Sequence, residues 1–71
     1  MILWVTSIID RDSIAIPVKE ISFFKSINNN YMQTIIMMKN GEKIECEENI
    51  VLLTDRYKRV MGEINDLQNN I

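Results

Sequence analysis

A chain of 71 residues with a net charge of −2 has room for one domain with a small core, in a size range that usually needs a disulfide, a metal or an oligomer to be stable. A single cysteine, Cys46, and no histidine exclude an intrachain disulfide and leave zinc only carboxylates, so no metal or other cofactor is expected and oligomerisation is the remaining aid. No apolar run nears the roughly 18 residues of a membrane span, and the opening MILWVTSIIDRD lacks the basic stretch and cleavage site of a secretion signal, so a cytoplasmic chain without membrane insertion is expected.

The alternation of apolar residues predicts a first strand over Ile2 to Ile9, ended by the turn chemistry of Asp10-Arg11-Asp12-Ser13. A short second strand, Ile14 to Ile16, stops at Pro17, which has no N–H for a sheet ladder. The third, Ile21 to Ile27, leads into Asn28-Asn29-Asn30, where asparagine tolerates the left-handed conformations a hairpin needs. The fourth, Tyr31 to Lys39, meets Asn40-Gly41, a strong hairpin signal. The fifth, Glu42 to Glu47, sets Ile44 and Cys46 on one face and Lys43, Glu45 and Glu47 on the other.

From Asn49 the period changes. Ile50, Leu53, Tyr57, Val60, Ile64, Leu67 and Ile71 are spaced three and four apart, as on the seam of a heptad repeat. Asn49 suits an N-cap, with Glu47 and Glu48 near the positive end of the helix dipole; the alternative is that 50–53 stays extended and Thr54 caps a shorter helix. Asp55, Lys58, Arg59, Gly62, Asp66 and Asn69 form the wet face. A helix over 50–70 is roughly 30 Å long, against about 20–23 Å for the strands, so it should overhang the sheet. Val51, Leu52 and Met61 are expected to help its first half cover that sheet, and the seam beyond Met61 seeks another partner. The fold class is therefore α+β: an antiparallel meander of four to five strands over 1–48 and one long C-terminal helix over 49–71, in a single domain.

With the strands placed, Thr34-Ile-Ile36-Met-Met38-Lys-Asn-Gly41-Glu-Lys-Ile44-Glu-Cys46-Glu-Glu48-Asn49 resembles the centre of the FlbD/SwrD family of small flagellar and swarming-motility proteins. That family's pattern is a Thr, alternating apolar residues, a Gly turn, an apolar pair and an acidic residue before a helix. Length, the MI start and the order of strands and helix also agree, so the resemblance spans nearly the whole chain; an early glycine turn is lacking and the loop at 28–31 is longer. The resemblance implies a motility role near the flagellar motor. Residues Ile16 to Tyr31 look like the first half of a LytTR DNA-binding domain, without the basic segment that follows in that family.

Charge argues against nucleic acid. Residues 1 to 40 carry four basic and three acidic side chains, 41 to 49 one basic and four acidic, and 50 to 71 three of each, so an acidic spot is present and no basic stripe. Trp4, Phe23, Phe24 and Tyr31 could stack bases, yet only Lys19, Lys25 and Lys39 lie nearby, and packing is the favoured role. Cys46, alternating with Ile44 and flanked by Glu45 and Glu47, reads as a small buried hydrophobe rather than a nucleophile. Glu42, Glu45, Glu47 and Glu48 lack an oxygen-rich loop to complete a cation site and read as a solvated edge that deters strand pairing. No residue is assigned a catalytic role.

The positive signal is apolar surface. Neighbouring strand residues point to opposite faces, so Ile35-Ile36-Met37-Met38 and Phe23-Phe24 make both faces of their strands apolar. One face packs on the chain's own core and the other marks an interface. Phe23, Ile35, Met37, Ile64, Leu67 and Ile71 are the expected interface residues, covered by a second copy or a larger protein. The expected function is a small, non-catalytic, homo-oligomeric protein that binds and modulates a larger bacterial protein. The alternatives are a phage-encoded protein that sequesters a small ligand at its oligomer interface or inhibits a host defence factor, and a nucleic-acid-binding regulator.

Overall fold

The computed structural model describes the backbone of residues 1–69 and the side chains of residues 1–62. Five antiparallel strands precede one C-terminal helix: β1 (Ile2–Thr6), β2 (Ser13–Pro17), a turn of 3-10 helix (Val18–Glu20), β3 (Ile21–Ile27), β4 (Asn30–Met38), β5 (Lys43–Cys46) and α1 (Ile50–Asn69). The strands divide into a hairpin, β1-β2, and a three-stranded sheet ordered β3-β4-β5. The end of β1 meets the end of β5 through a bridge between Ser7 and Cys46.

Local chemistry accounts for the turns. β1 stops at Thr6, short of the expected Ile9, because Ser7 turns the chain: its Oγ accepts from Ile9 N–H at 3.2 Å and its C=O accepts from Arg11 N–H at 3.0 Å. Asn28 and Asn29 both take positive φ, 50° and 61°, as a two-residue hairpin loop twisted to match its strands requires. The β4-β5 loop is closed by Met38 N–H donating to Glu42 C=O at 2.9 Å, and Gly41 sits at φ 92° where a side chain would be strained.

α1 begins where Asn49 caps it: the Oδ1 accepts from Val51 N–H at 2.8 Å and from Leu52 N–H at 3.4 Å. The alternative start at Thr54 is thereby overturned, because the cap meets the free N–H groups of the first turn five residues earlier.

Leu3 and Val5 of β1, Ile16 of β2, Val18, Ile21, Ile36, Met38, Cys46 and Leu53 form the core, and Phe24, Ile44, Tyr57, Val60 and Met61 pack against it. Phe24 and Ile36 stand side by side with Ile44 on the core face of the three-stranded sheet. Phe24 meets Tyr57 of α1 edge to face, centroids 5.5 Å apart and rings at 85°. A bulge after Ile21 lets Ile21 and Phe24, three apart, both turn inward.

Val51 and Leu52 do not cover the sheet as expected. They are exposed, whereas Leu53 is fully buried and Met61 packs on the core as expected, because the helix turns about 100° per residue and the stripe of Leu53, Tyr57, Val60 and Met61 faces the strands. The molecule measures 42 × 21 × 20 Å, its long axis exceeding any strand, in keeping with a 20-residue helix of about 30 Å.

Candidate interaction surface

Strand alternation sorts the expected interface residues. On the outer face of the three-stranded sheet Phe23 lies opposite Met37, which lies opposite Lys43; beside them Lys25, Ile35 and Glu45 form a second row. Phe23 is exposed, and Ile35 and Met37 are half-buried, Ile35 lying between Lys25 and Glu45 and Met37 between Phe23 and Lys43. The structure thus brings Phe23, Ile35 and Met37 together on one face. Ile64, Leu67 and Ile71 lie outside the residues whose side chains are described.

A second apolar face belongs to the hairpin. Ile2 lies opposite Pro17 and Trp4 opposite Ala15, and these four side chains point away from the core residues Leu3, Val5 and Ile16. Trp4 is 62 % exposed, an unusual position for the largest apolar side chain in the protein. The same sign that marks residues 35–38, an unbroken apolar run in a strand, is present in Ile2-Leu3-Trp4-Val5, so this face was readable from the sequence.

Glu48 joins the hairpin to the rest. Its Oε1 accepts from Thr6 N–H at 3.0 Å, its C=O accepts from the fully buried Thr34 Oγ1 at 2.8 Å, and its Oε2 lies 3.8 Å from Arg56 Nη1. The carboxylate takes the place that a backbone carbonyl would hold if β5 ran further beside β1. Glu47 N–H donates to Thr6 C=O at 2.9 Å just before that substitution.

The aromatic side chains do not form one stacking platform: Phe23 and Phe24 point to opposite faces, Phe24 is engaged with Tyr57, and Trp4 stands on the other sheet. Burial pushes the Cys46 thiol pKa up, and the Glu48 charge adds to that rise while backbone hydrogen bonds oppose it, so the sulfur is a protonated core group. Among the described residues no three acidic or cysteine side chains are placed to hold a metal ion. Among the described residues no helix is long and apolar enough to cross a membrane. Surface cavities of about 330–380 Å³ flank α1; one of them, about 330 Å³, lies between β1 and the helix. No family model matches the chain, and neither does any curated protein or solved structure.

Proposed function

We propose that this chain is a small, non-catalytic, cytoplasmic protein that works as a homo-oligomer and modulates a larger bacterial protein by binding it. The observation that carries the reading is the pair of outward apolar faces, Ile2-Trp4-Ala15-Pro17 and Phe23-Met37, one on each sheet of so small a chain. One face serves self-association and the other is left for a different protein. The resemblance of residues 34–49 to the FlbD/SwrD proteins supports a partner in motility, near the flagellar motor.

The test is the intact mass under native conditions, followed by the effect of Phe23→Glu. A whole-number multiple of the chain mass with nothing added is expected. A multiple that carries a constant small added mass would replace this reading with ligand sequestration. For the larger partner, Phe23→Glu should abolish motility-associated complexes in cells while leaving the multimer and the thermal midpoint in place; unchanged complexes would overturn the assignment of that face.

A further inference from the structure

We propose that two copies join by antiparallel pairing of β1 with the partner's β1 about a two-fold axis at Leu3, which extends the hairpin into a four-stranded sheet. The proposal rests on the homo-oligomeric reading above and names its contact.

The backbone of β1 alternates in direction as its side chains do. Ser7 N–H donates to Asp12 C=O at 2.9 Å and Met1 C=O accepts from Val18 N–H at 3.0 Å, so within the β1-β2 register the odd residues of β1 bond β2. Ile2, Trp4 and Thr6 therefore present their N–H and C=O groups to the other side. Thr6 is satisfied there by Glu47 N–H and the Glu48 carboxylate. Beyond that point the chain leaves β1 for the Asn49 cap and α1. Among the described residues nothing meets the backbone groups of Ile2 and Trp4. A surface cavity of about 330 Å³ lies along this edge, between Ile2, Leu3 and Trp4 on one side and Arg56, Arg59 and Val60 of α1 on the other.

The open stretch is complementary to itself. A two-fold axis at Leu3 sets Ile2 opposite the partner's Trp4 and Trp4 opposite the partner's Ile2, both as pairs that exchange N–H and C=O in each direction. The same registry lays an aromatic side chain across from a β-branched one on the exposed face, a favourable cross-strand pair that shields the facing flanks of Trp4 and Ile2, 62 % and 47 % exposed in the single copy.

Charge favours a second copy over a foreign acidic strand. Arg56 is already 3.8 Å from Glu48, and Arg59 is 3.0 Å from Asp55, so the groove brings no uncompensated cation to the axis. The opposite edge of the hairpin is blunted, since Pro17 has no N–H to offer on it. β1 carries no proline on its open edge.

The experiment is amide hydrogen exchange at residue resolution on the intact chain, as a function of protein concentration, with Thr6 as the internal reference. In the multimer the Trp4 amide should exchange at least tenfold more slowly than on dilution to the monomer, while the Thr6 amide, bonded within one copy, changes little. Ile2→Pro removes an N–H that makes no bond within a copy, so the variant should keep the wild-type circular dichroism and lose about thirtyfold in self-association, from two lost hydrogen bonds per dimer. A multimer whose Trp4 amide exchanges at open-edge rates overturns the pairing and leaves the homo-oligomer to be built elsewhere, and so does an Ile2→Pro variant that assembles as tightly as wild type. A monomer at every concentration overturns both. Should Ile2→Pro fail to fold, the exchange on the unaltered chain decides.

Discussion

Replacing Glu48 should weaken the junction between the two sheets, because its carboxylate supplies a contact that a longer β5 would otherwise make, beside the Ser7–Cys46 bridge and the Glu47 N–H to Thr6 C=O bond that remain. In Glu48→Ala the Thr6 N–H loses a charge-assisted acceptor 3.0 Å away, a loss of about 1.5–3 kcal/mol, and the half-exposed Arg56 loses an ion pair worth about 0–1 kcal/mol. The total is roughly 2–4 kcal/mol, against a stability of about 4–11 kcal/mol for a domain of this length. Glu48→Gln keeps a neutral acceptor for Thr6 and should cost about half as much. The Thr34 hydroxyl bonds the Glu48 main chain, so it is untouched by either change. Urea unfolding followed by circular dichroism should show both midpoints lowered at constant slope, with Glu48→Ala the lower of the two; in heat the same loss is roughly 10–25 °C for Ala. If Glu48→Ala and Glu48→Gln unfold at the same midpoint, the hydrogen bond to Thr6 contributes nothing and the argument for a stitched junction is wrong.

Two further outcomes follow from the same packing. Gly62 interrupts α1 with open space around the position a Cβ would occupy, so Gly62→Ala should raise stability by about 0.5–1 kcal/mol; a lower melting temperature would contradict that geometry. The Cys46 thiol is held protonated by burial, so its folded pKa lies above the unfolded value of about 8.5. The unfolded chain then releases this proton first as pH rises, and stability conferred by the thiol is full below about pH 8.5 and lost above it. Urea midpoints of wild type and Cys46→Ala measured from pH 7 to pH 10 should therefore converge; parallel curves would show that the thiol titrates alike in both states.

Where structure depends on near neighbours in the chain, the residues announce it. Asn49 caps α1, Asn28 and Asn29 take the left-handed conformations of a hairpin loop, and Ile44 and Cys46 face inward together, because capping, turn conformation and strand alternation are set within four or five residues. The apolar runs at 23–24 and 35–38 likewise announce two-sided strands. They do not say which side is out. That Phe23 faces solvent and Phe24 meets Tyr57 depends on a bulge after Ile21 and on where α1 lies.

The candidate site divides along the same line. Ile2 and Trp4 carry the same local mark as Ile35 and Met37, yet what sets them apart is a backbone edge left open when β5 turns away after Cys46. The departure of β5, the Glu48 carboxylate that stands in for it and the exposure of Val51 and Leu52 are contacts between segments more than forty residues apart or the direction of a helix relative to a sheet. By itself the sequence determined the element types, their order, the cap and the turns, because those follow from backbone conformations that each residue and its neighbours favour. Only the tertiary structure decided which faces and which edge stay unpaired, because burial and hydrogen-bond pairing are properties of what the rest of the chain leaves uncovered.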